Sequence, residues 1–517
     1  MPLNTDPPGL SDPSDPPSPS DPSDPSEPSD PLGTGRTGGT ALATAAQPGP
    51  SAPARRPAGL GALLARLHFY AGVMIAPFLL VAAVTGLLYT LTPQLDALVY
   101  DKELHVSREG DAVVPLSGQL AAARAAHPDG TLTAVRPGSG ESTTQVDFAL
   151  PELGEKAHTV YVDPYSGEVT GQLTTWFGYT PLMTWFDDLH RNLQLGDLGR
   201  HYSEVAASWL WVLVLGGLIL WVRRRNGNRT ARRLLLPDRA AKGVRRTRNW
   251  HAVTGVWLAV GLLGLSATGL TWSRYAGAHF GEALDALRSG TPGVSTALPG
   301  APADAGDDGH GSHGSHGAGD SGEGVDPAAV DGVLRTAREA GLDGPISIAV
   351  PSDATTAWTV AETRDRWPVG RDTLAVDAST GTVVDRVDFA DWPFLARLST
   401  WGISAHMGLL FGPVNQILLA IVAIGLISLI VWGYRMWWQR RPTRADRRTP
   451  LGAPPARGAW RGVPLPVLAL GAVVTAALGW AIPLFGIPLA GFLAVDLAVG
   501  AARRRRSATT GSPGRAG

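Results

Sequence analysis

Cysteine is absent from this 517-residue chain, and lysine occurs at only three positions, Lys102, Lys156 and Lys242. The lack of cysteine excludes disulfides, thiolate metal sites and iron–sulfur clusters. No GxGxxG pattern follows a predicted strand, and the chain contains neither a GxxxxGK[ST] phosphate loop nor an HExxH pair. We therefore expect neither a flavin or nicotinamide site nor a metallopeptidase site in this chain.

Long apolar runs dominate the rest of the sequence. A helix needs about 20 mostly apolar residues to cross roughly 30 Å of hydrocarbon. Six runs approach this length, at residues 67–92, 205–222, 252–273, 414–434, 464–482 and 484–501. The predicted fold class is therefore an α-helical polytopic membrane protein with about six transmembrane helices. Since only Pro483 separates the last two runs, one bent or re-entrant segment over 464–501 is the alternative to a hairpin.

Charge is distributed unevenly along the chain, although the net charge is only −1. Residues 223–249 carry eleven Arg or Lys and one acid, and residues 435–461 carry eight Arg and one acid, whereas 93–204 and 274–413 are acidic. The positive-inside rule predicts a multi-pass membrane protein with both basic loops and both termini cytoplasmic. The excess of arginine over lysine is typical of a GC-rich bacterial genome, and the expected location is the bacterial plasma membrane. A cleavable signal peptide is not expected, because about 60 polar residues precede a first run too long for an h-region.

Two segments have compositions that do not favour a packed core. Residues 1–60 are rich in Pro, Ser and Asp and are predicted to be a disordered cytoplasmic tail. The insertion at 290–324 is rich in Gly and His, and it is also predicted to be disordered. The alternative for this insertion is weak binding of a divalent metal by His310, His313 and His316.

The same order of features occurs twice along the chain. Each copy has a histidine at the start of an apolar run, a Thr-Gly pair 17 residues later, a Gly-terminated turn and a second histidine before the next run. In the first copy these are His68, Thr85 and Gly86, the turn 163–167, and His190. In the second copy they are His251, Thr268 and Gly269, the turn 377–381, and His406.

This duplication predicts two repeats, at 61–225 and 250–440. Each repeat contains a small extracytoplasmic α+β domain, at 113–173 and 327–388 respectively. An amphipathic helix suited to the membrane interface follows each domain and carries the second histidine, at 176–195 and 392–411. The other predicted segments are basic loops at 226–249 and 441–461, a transmembrane hairpin at 464–501 and a basic disordered tail at 502–517.

The four repeated histidines indicate haem ligation. Two imidazoles on facing helices make haem iron six-coordinate, which suits electron transfer. We predict that His68 pairs with His251 near the cytoplasmic face and His190 with His406 near the outer face, because a pseudo-twofold relation brings equivalent residues together. For any single histidine, the alternative is an interfacial side chain bonded to a backbone carbonyl or a headgroup. His201, at the start of the second span, is a candidate additional ligand.

Three arginines lie close in sequence to the predicted ligands. Arg66, Arg191 and Arg248 are candidate contacts for haem propionates, although the positive-inside rule is the simpler explanation for Arg66 and Arg248. The two Thr-Gly pairs are interpreted as packing positions, since small residues let membrane helices approach closely.

Several blocks resemble a known family. LHFYAGVMIAPFLLVAAVTGLLY, LHRNLQLGDLGR, RNWHAVTGVWLAVGLLGLSATGL and AHMGLLFG are similar to the PepSY-associated transmembrane helix family, which includes iron-regulated membrane proteins and ferric-siderophore reductases. YVDPYSGEVTG and LAVDASTGTVVD resemble the terminal hairpin of PepSY domains. The resemblance covers about residues 61–440, and it implies two PepSY-like domains and a haem-containing reductase.

The residues and the resemblance together predict a carrier with two haem b groups that reduces an extracytoplasmic ferric chelate or siderophore during iron acquisition. Its expected partners are the lipid bilayer, the chelate and a separate electron donor, either a quinol or a cytoplasmic reductase. No nucleic-acid partner is expected. Two alternatives stay open: a non-enzymatic PepSY membrane module that binds or regulates an extracytoplasmic peptidase or sensor, and a metal or siderophore permease.

Overall fold

The computed structural model describes residues 60–223, 235–298, 326–439 and 463–510. The predictions made for residues 1–59, for the loop at 441–461 and for the weak metal site at His310, His313 and His316 lie outside these ranges.

Helices make up most of the described structure. In chain order they are α1 (Leu60–Tyr89), α2 (Thr92–Val99), α3 (Asp101–Leu104), α4 (Leu116–Ala126), α5 (Pro181–Asn192), α6 (Gly196–Arg223), α7 (Gly243–Thr271), α8 (Tyr275–Ala286), α9 (Val330–Glu339), α10 (Phe394–His406), α11 (Pro413–Gln439), α12 (Leu465–Ala481) and α13 (Pro483–Thr510). Among the described residues, α1, α6, α7, α11 and α13 are long and apolar enough to cross a membrane.

Four of these helices form a bundle. α1 packs against α6, α6 against α7, α7 against α11, and α11 against α1, so the two helices of the first repeat lie side by side against the two helices of the second. Leucines such as Leu79 and Leu262 fill the centre. Apolar residues also cover the outside: Val260 is 84 % exposed and Val414 is 62 % exposed. A helix that is apolar all round is expected in a bilayer, where lipid covers the outer side.

The last two helices form a hairpin and are not one bent helix. Ile482 leaves the helical conformation at φ −128° and ψ 81°, and α13 starts at Pro483, whose missing N–H costs nothing at a first helical position. A Cβ on Gly486 would lie 2.7 Å from the Cα of Gly479, so the two helices touch there. α12 has 17 residues and is about 25 Å long at ~1.5 Å per residue. The predicted six spans thus correspond to five helices of spanning length and one shorter apolar helix.

The strands form one sheet. They are β1 (Thr131–Arg136), β2 (Thr144–Ala149), β3 (Ala157–Val162), β4 (Val169–Thr175), β5 (Ile346–Ala349), β6 (Trp358–Glu362), β7 (Thr373–Asp377) and β8 (Thr382–Val387). Their order is β4-β3-β2-β1-β5-β6-β7-β8, and every neighbouring pair is antiparallel. Two separate small domains were expected from the sequence, but the structure joins them through β1 and β5, where Val135 pairs with Ile348.

The physical reason for this junction is the edge that each half would otherwise expose. An unpaired edge strand presents free N–H and C=O groups, and pairing β1 with β5 satisfies them for both halves. The halves also share one hydrophobic core, in which Val135 and Ile348 are fully buried under α4 and α9. Across the junction, the Ser117 hydroxyl donates to the carboxylate of Asp331.

The Gly-terminated turns have the backbone that the sequence predicts. Gly167 has φ +73° and Gly381 has φ +68°, a region in which glycine is favoured because it lacks Cβ. Asp163 and Asp377 each accept a hydrogen bond from the backbone two residues ahead, at 2.8 Å in both turns. The equivalent turns therefore close the two halves of the sheet in the same way.

Helices α2, α3 and α5 connect the sheet to one end of the bundle. We call this the sheet end. The opposite end, where Arg223 ends α6 and Gly243 begins α7, leads to the basic segments and is called the loop end.

Candidate functional site

The histidines His190 and His406 meet at the sheet end of the bundle. Their ring centroids are 6.4 Å apart and their planes are inclined by 56°. His190 lies on α5, whose N-terminus is capped by the Thr180 hydroxyl, which accepts from the Met183 N–H. His406 is the last residue of α10. The two short helices thus bring equivalent side chains of the two repeats close together. We call these two residues the sheet-end pair.

Each ring of the sheet-end pair is anchored by the threonine of its own repeat. Thr85 Oγ1 lies 3.0 Å from His190 Nδ1, and Thr268 Oγ1 lies 2.6 Å from His406 Nδ1. Each hydroxyl also donates to a backbone carbonyl one turn earlier, that of Val81 at 2.8 Å or Gly264 at 2.9 Å. Because the hydroxyl proton is used there, the oxygen accepts from Nδ1–H.

This anchoring fixes the chemical form of both imidazoles. With hydrogen on Nδ1, the lone pair is on Nε2, which is the arrangement that metal-binding histidines adopt when an outer partner holds the other nitrogen. Burial lowers the pKa of His190 to about 4, and burial together with the neighbouring His190 lowers the pKa of His406 to about 4. The pair is therefore neutral near pH 7 and able to bind a metal ion.

The glycines next to the anchoring threonines make room for the rings. A Cβ on Gly86 would lie 3.1 Å from His190 Cε1, closer than side chains normally approach. A Cβ on Gly269 would lie 3.8 Å from His406 Cε1 and 3.5 Å from Ala207 Cβ, which are ordinary contacts. The Thr-Gly pairs were interpreted from sequence as packing positions alone. The structure adds that the threonines bond to the histidines, a role the sequence reasoning missed.

The histidines His68 and His251 lie at the loop end, on α1 and α7. His251 Nδ1 lies 3.0 Å from the carbonyl oxygen of Leu429. His68 packs on the backbone of α6, where a Cβ on Gly217 would lie 3.3 Å from its Cε1. His68 Nδ1 is buried without a hydrogen-bond partner among the described residues. We call these residues the loop-end pair.

Each pair lines a cavity inside the bundle. The loop-end cavity has a volume of about 620 Å³, and His68 and His251 are both in its wall. The sheet-end cavity has a volume of about 200 Å³ and is lined by His190 and His406. Four leucines line both cavities and separate them, namely Leu79, Leu210, Leu262 and Leu426. The two cavities are therefore stacked along the bundle axis.

Of the three arginines predicted to contact haem propionates, two line the cavities and one does not. Arg191 lines the sheet-end cavity and Arg248 the loop-end cavity. Arg66 instead forms an ion pair with Asp496 on α13. A guanidinium among apolar helices requires a counter-charge, so the prediction that Arg66 contacts a haem propionate is not supported by its position. Arg223, which the sequence reasoning did not select, also lines the loop-end cavity.

His201 is not placed at either cavity. Its Nδ1 lies 2.8 Å from the carbonyl oxygen of Asp197, and its Nε2 lies 3.1 Å from the Tyr275 hydroxyl. Both nitrogens have local partners in this structure, and the role of His201 as an additional ligand stays a prediction. Among the described residues, no group of three or more His, Cys, Asp or Glu side chains is placed to hold a metal ion.

Comparison with known proteins identifies the family. The family model described as the PepSY-associated TM region matches residues 65–440, which include both histidine pairs. A search of curated proteins gave no match. The chain belongs to the PepSY-associated TM family.

Proposed function

We propose that this member of the PepSY-associated TM family carries electrons across the plasma membrane, through two haem b groups, to a ferric chelate outside. The observation that carries the proposal is the sheet-end pair, in which the ring centroids of two neutral imidazoles lie 6.4 Å apart and both Nδ1 atoms are anchored. The loop-end pair places two further equivalent histidines in the wall of one cavity at the other end of the bundle, where His251 Nδ1 lies 3.0 Å from the carbonyl oxygen of Leu429.

The geometry of the sheet-end pair fits one metal ion between the rings. With metal–nitrogen bonds of about 2 Å on each side, the centroids of two opposed imidazoles lie roughly 6 Å apart. The observed separation of 6.4 Å agrees with this value. The sheet-end cavity of about 200 Å³ is smaller than the roughly 300–1,000 Å³ of small-molecule sites. A macrocycle there requires neighbouring side chains to move apart.

The loop-end cavity supports the proposal through its size and lining. Its volume of about 620 Å³ lies within the usual range for cofactor sites. Arg223 and Arg248 contribute positive charge to a wall that is otherwise mostly apolar. Carboxylates pair well with guanidinium groups, so these two side chains are the proposed contacts for propionates at this end.

A haem held by two imidazoles supplies reversible one-electron transfer. The chain's own residues hold the ligands and keep water away. Thr85 and Thr268 fix the ring orientation at the sheet end, and the carbonyl of Leu429 fixes His251 at the loop end. The apolar side chains between the cavities make a low-dielectric path, which favours neutral ligands over charged ones.

The proposed orientation follows from charge. The loop end leads to the arginine-rich segments, which we assign to the cytoplasm by the positive-inside rule. The sheet and the sheet-end pair then lie outside, and six spans place both termini inside. The electron donor is a quinol or a cytoplasmic reductase at the loop end, and the acceptor is a ferric chelate or siderophore at the sheet end.

The alternative functions considered from sequence, a peptidase-regulating module and a permease, give no reason for two pairs of equivalent histidines that each line a cavity. Proteoliposomes that contain the full chain and a sealed impermeant reductant separate these possibilities. Fe(III)–citrate and a colorimetric Fe(II) chelator are placed outside. We expect Fe(II) to form with the wild-type protein and not with His190→Ala or His68→Ala, while His201→Ala behaves as wild type. Equal rates in all four proteins would contradict electron transfer through the pairs.

A further inference from the structure

The sheet-end cavity carries charged side chains on one side only. The two repeats contribute equivalent positions to its wall: four residues after the Thr, three before the second His and one after it. In the first repeat these residues are Tyr89, Asp187 and Arg191, and in the second they are Trp272, Ile403 and Met407. The second repeat thus has one indole N–H and no charge at these positions. The histidines and threonines are the same in both repeats, whereas the residues at these three positions differ. The difference therefore gives the first-repeat wall a property that the second-repeat wall does not have.

Two polar atoms of this wall are buried without a hydrogen-bond partner among the described residues, Tyr89 Oη and Arg191 Nε, although Asp187 lies within ion-pair distance of Arg191 Nε. Tyr89 is only 8 % exposed. A buried hydroxyl or guanidinium N–H without a partner is unfavourable and uncommon in folded proteins. Both groups can donate a hydrogen bond, and an oxygen-bearing ligand in the cavity supplies an acceptor for such donors.

The Arg191 side chain is held in place before any ligand binds. Its guanidinium lies 4.8 Å from the centre of the Trp176 ring. Asp188 accepts from its Nη2 at 3.1 Å, and Asp187 Oδ2 lies 3.5 Å from Nε. Such contacts reduce the ordering cost of binding. Because Arg191 remains 32 % exposed and the Trp272 wall 45 % exposed, this part of the cavity reaches the surface.

The charges that line the cavity are Arg191, Arg200 and Asp187. Arg200 already donates to the carbonyl of Trp272 at 3.1 Å, and Asp188 neutralises part of Arg191 from outside the cavity. The cavity wall itself therefore carries one more positive than negative side chain. This balance, together with two donors that make no hydrogen bond among the described residues, favours a ligand with anionic oxygen.

We propose that Tyr89 and Arg191 form a subsite for an oxygen anion beside the sheet-end pair. The assignment deepens the proposed function and rests on it for the identity of the anion. The oxygen comes from a propionate of the resident cofactor or from the carboxylate ligands of a soluble ferric chelate. In either case Tyr89 O–H and Arg191 Nε–H donate to it, and Asp187 opposes it.

The test uses the full chain in lipid nanodiscs with Ga(III)–citrate, a chelate that cannot be reduced under these conditions. Binding is measured by equilibrium dialysis, and haem content and the electron paramagnetic resonance spectrum are measured on the same samples. The variants are Tyr89→Phe, Arg191→Gln and Asp187→Asn. Met407→Leu, at the position equivalent to Arg191 on the other wall, is the matched control.

If the subsite takes a soluble chelate, Tyr89→Phe and Arg191→Gln weaken Ga(III)–citrate binding by about tenfold or more, as for loss of a charge-assisted hydrogen bond, and Asp187→Asn strengthens it. If it takes a propionate, Ga(III)–citrate binding is unchanged, while the first two variants lower haem occupancy or alter the spectrum of one haem. Both results support the subsite, and Met407→Leu matches wild type in each.

The proposal is overturned if neither measurement changes in Tyr89→Phe and Arg191→Gln, or if Met407→Leu changes them equally. Failure of the proposed function gives a different result. A protein without haem whose Ga(III)–citrate binding still depends on Tyr89 keeps the subsite and loses the electron carrier. A haem protein in which neither Tyr89 nor Arg191 matters keeps the electron carrier and loses the subsite.

Discussion

Replacing the anchoring threonine tests the role of the second repeated motif. Thr85→Val keeps the shape of the side chain but removes the hydroxyl that lies 3.0 Å from His190 Nδ1. Losing a partner of a buried donor costs about 1–3 kcal/mol, and losing an outer partner of a metal-binding histidine typically weakens metal binding by roughly 10–100-fold. Thr268→Val removes the equivalent bond to His406 at 2.6 Å. We therefore expect each variant to weaken one haem site by at least about tenfold.

The assay is titration of haem-depleted protein with haem, followed through the absorption of the six-coordinate form. Thr271→Val is the matched control, because Thr271 also donates to a backbone carbonyl, that of Thr268 at 2.7 Å, on the same helix. The expected result is one weakened site of two in Thr85→Val and in Thr268→Val, and two intact sites in Thr271→Val. If all three variants bind haem like wild type, the threonines do not anchor the ligands.

Further predictions concern the glycine at position 86, the pH dependence of the melting temperature and the core shared by the two halves of the sheet. Gly86→Ala places a methyl group 3.1 Å from His190 Cε1, whereas Gly269→Ala makes only ordinary contacts. Haem titration should therefore show a larger loss of haem affinity for Gly86→Ala. Equal losses of affinity in the two variants would contradict this expectation. Burial holds the pKa of His190 at about 4, so the unfolded chain takes up a proton first as the pH falls below about 6.5. Haem-free protein should therefore have a lower melting temperature at pH 5 than at pH 7, and this decrease should be smaller in His190→Ala. An equal decrease in both proteins would contradict the low pKa of His190. Ile348→Ala should destabilise the joined sheet by about 2–5 kcal/mol in thermal unfolding, while the exposed Val384→Ala should change stability by under about 0.5 kcal/mol; equal shifts would argue against a shared core.

The sequence predicted the positions of the histidines from spacing alone. The interval of 17 residues places His68 near one end of α1 and Thr85 near the other, because a helix rises about 1.5 Å per residue. The same interval occurs on α7. Because the second histidine of each repeat comes after the far end of its span, the sequence predicts one pair of histidines near each end of the bundle. The structure brings His190 and His406 together at one level and places His68 and His251 in the wall of one cavity at the other. The ligation of haem by these pairs remains a prediction.

The joining of the two sheets could not be read from sequence. Alternating polarity shows which face of a strand is buried, but it does not show which edges pair. β1 and β5 lie more than 200 residues apart, and their pairing depends on how the two repeats dock. The bond between Thr85 and His190 was missed for a related reason. Both residues recur in the repeated pattern, but their contact depends on how α5 packs against α1, which the pattern does not show.

The ion pair between Arg66 and Asp496 shows a further limit. Arg66 lies two residues before His68, which made it a candidate for the haem site. Its side chain instead meets α13, beyond the region that the family model matches. Sequence proximity to a ligand does not determine the direction of a side chain, since residues two apart lie on different faces of a helix.

The absorption spectrum of the purified full chain, with haem counted per chain, tests the central claim most directly. We expect two haems per chain, each with the Soret and α bands of a six-coordinate bis-histidine site. We also expect His190→Ala and His406→Ala to affect the same one of the two haems. Colourless protein from a haem-replete host, or two haems that persist in both variants, would contradict the claim.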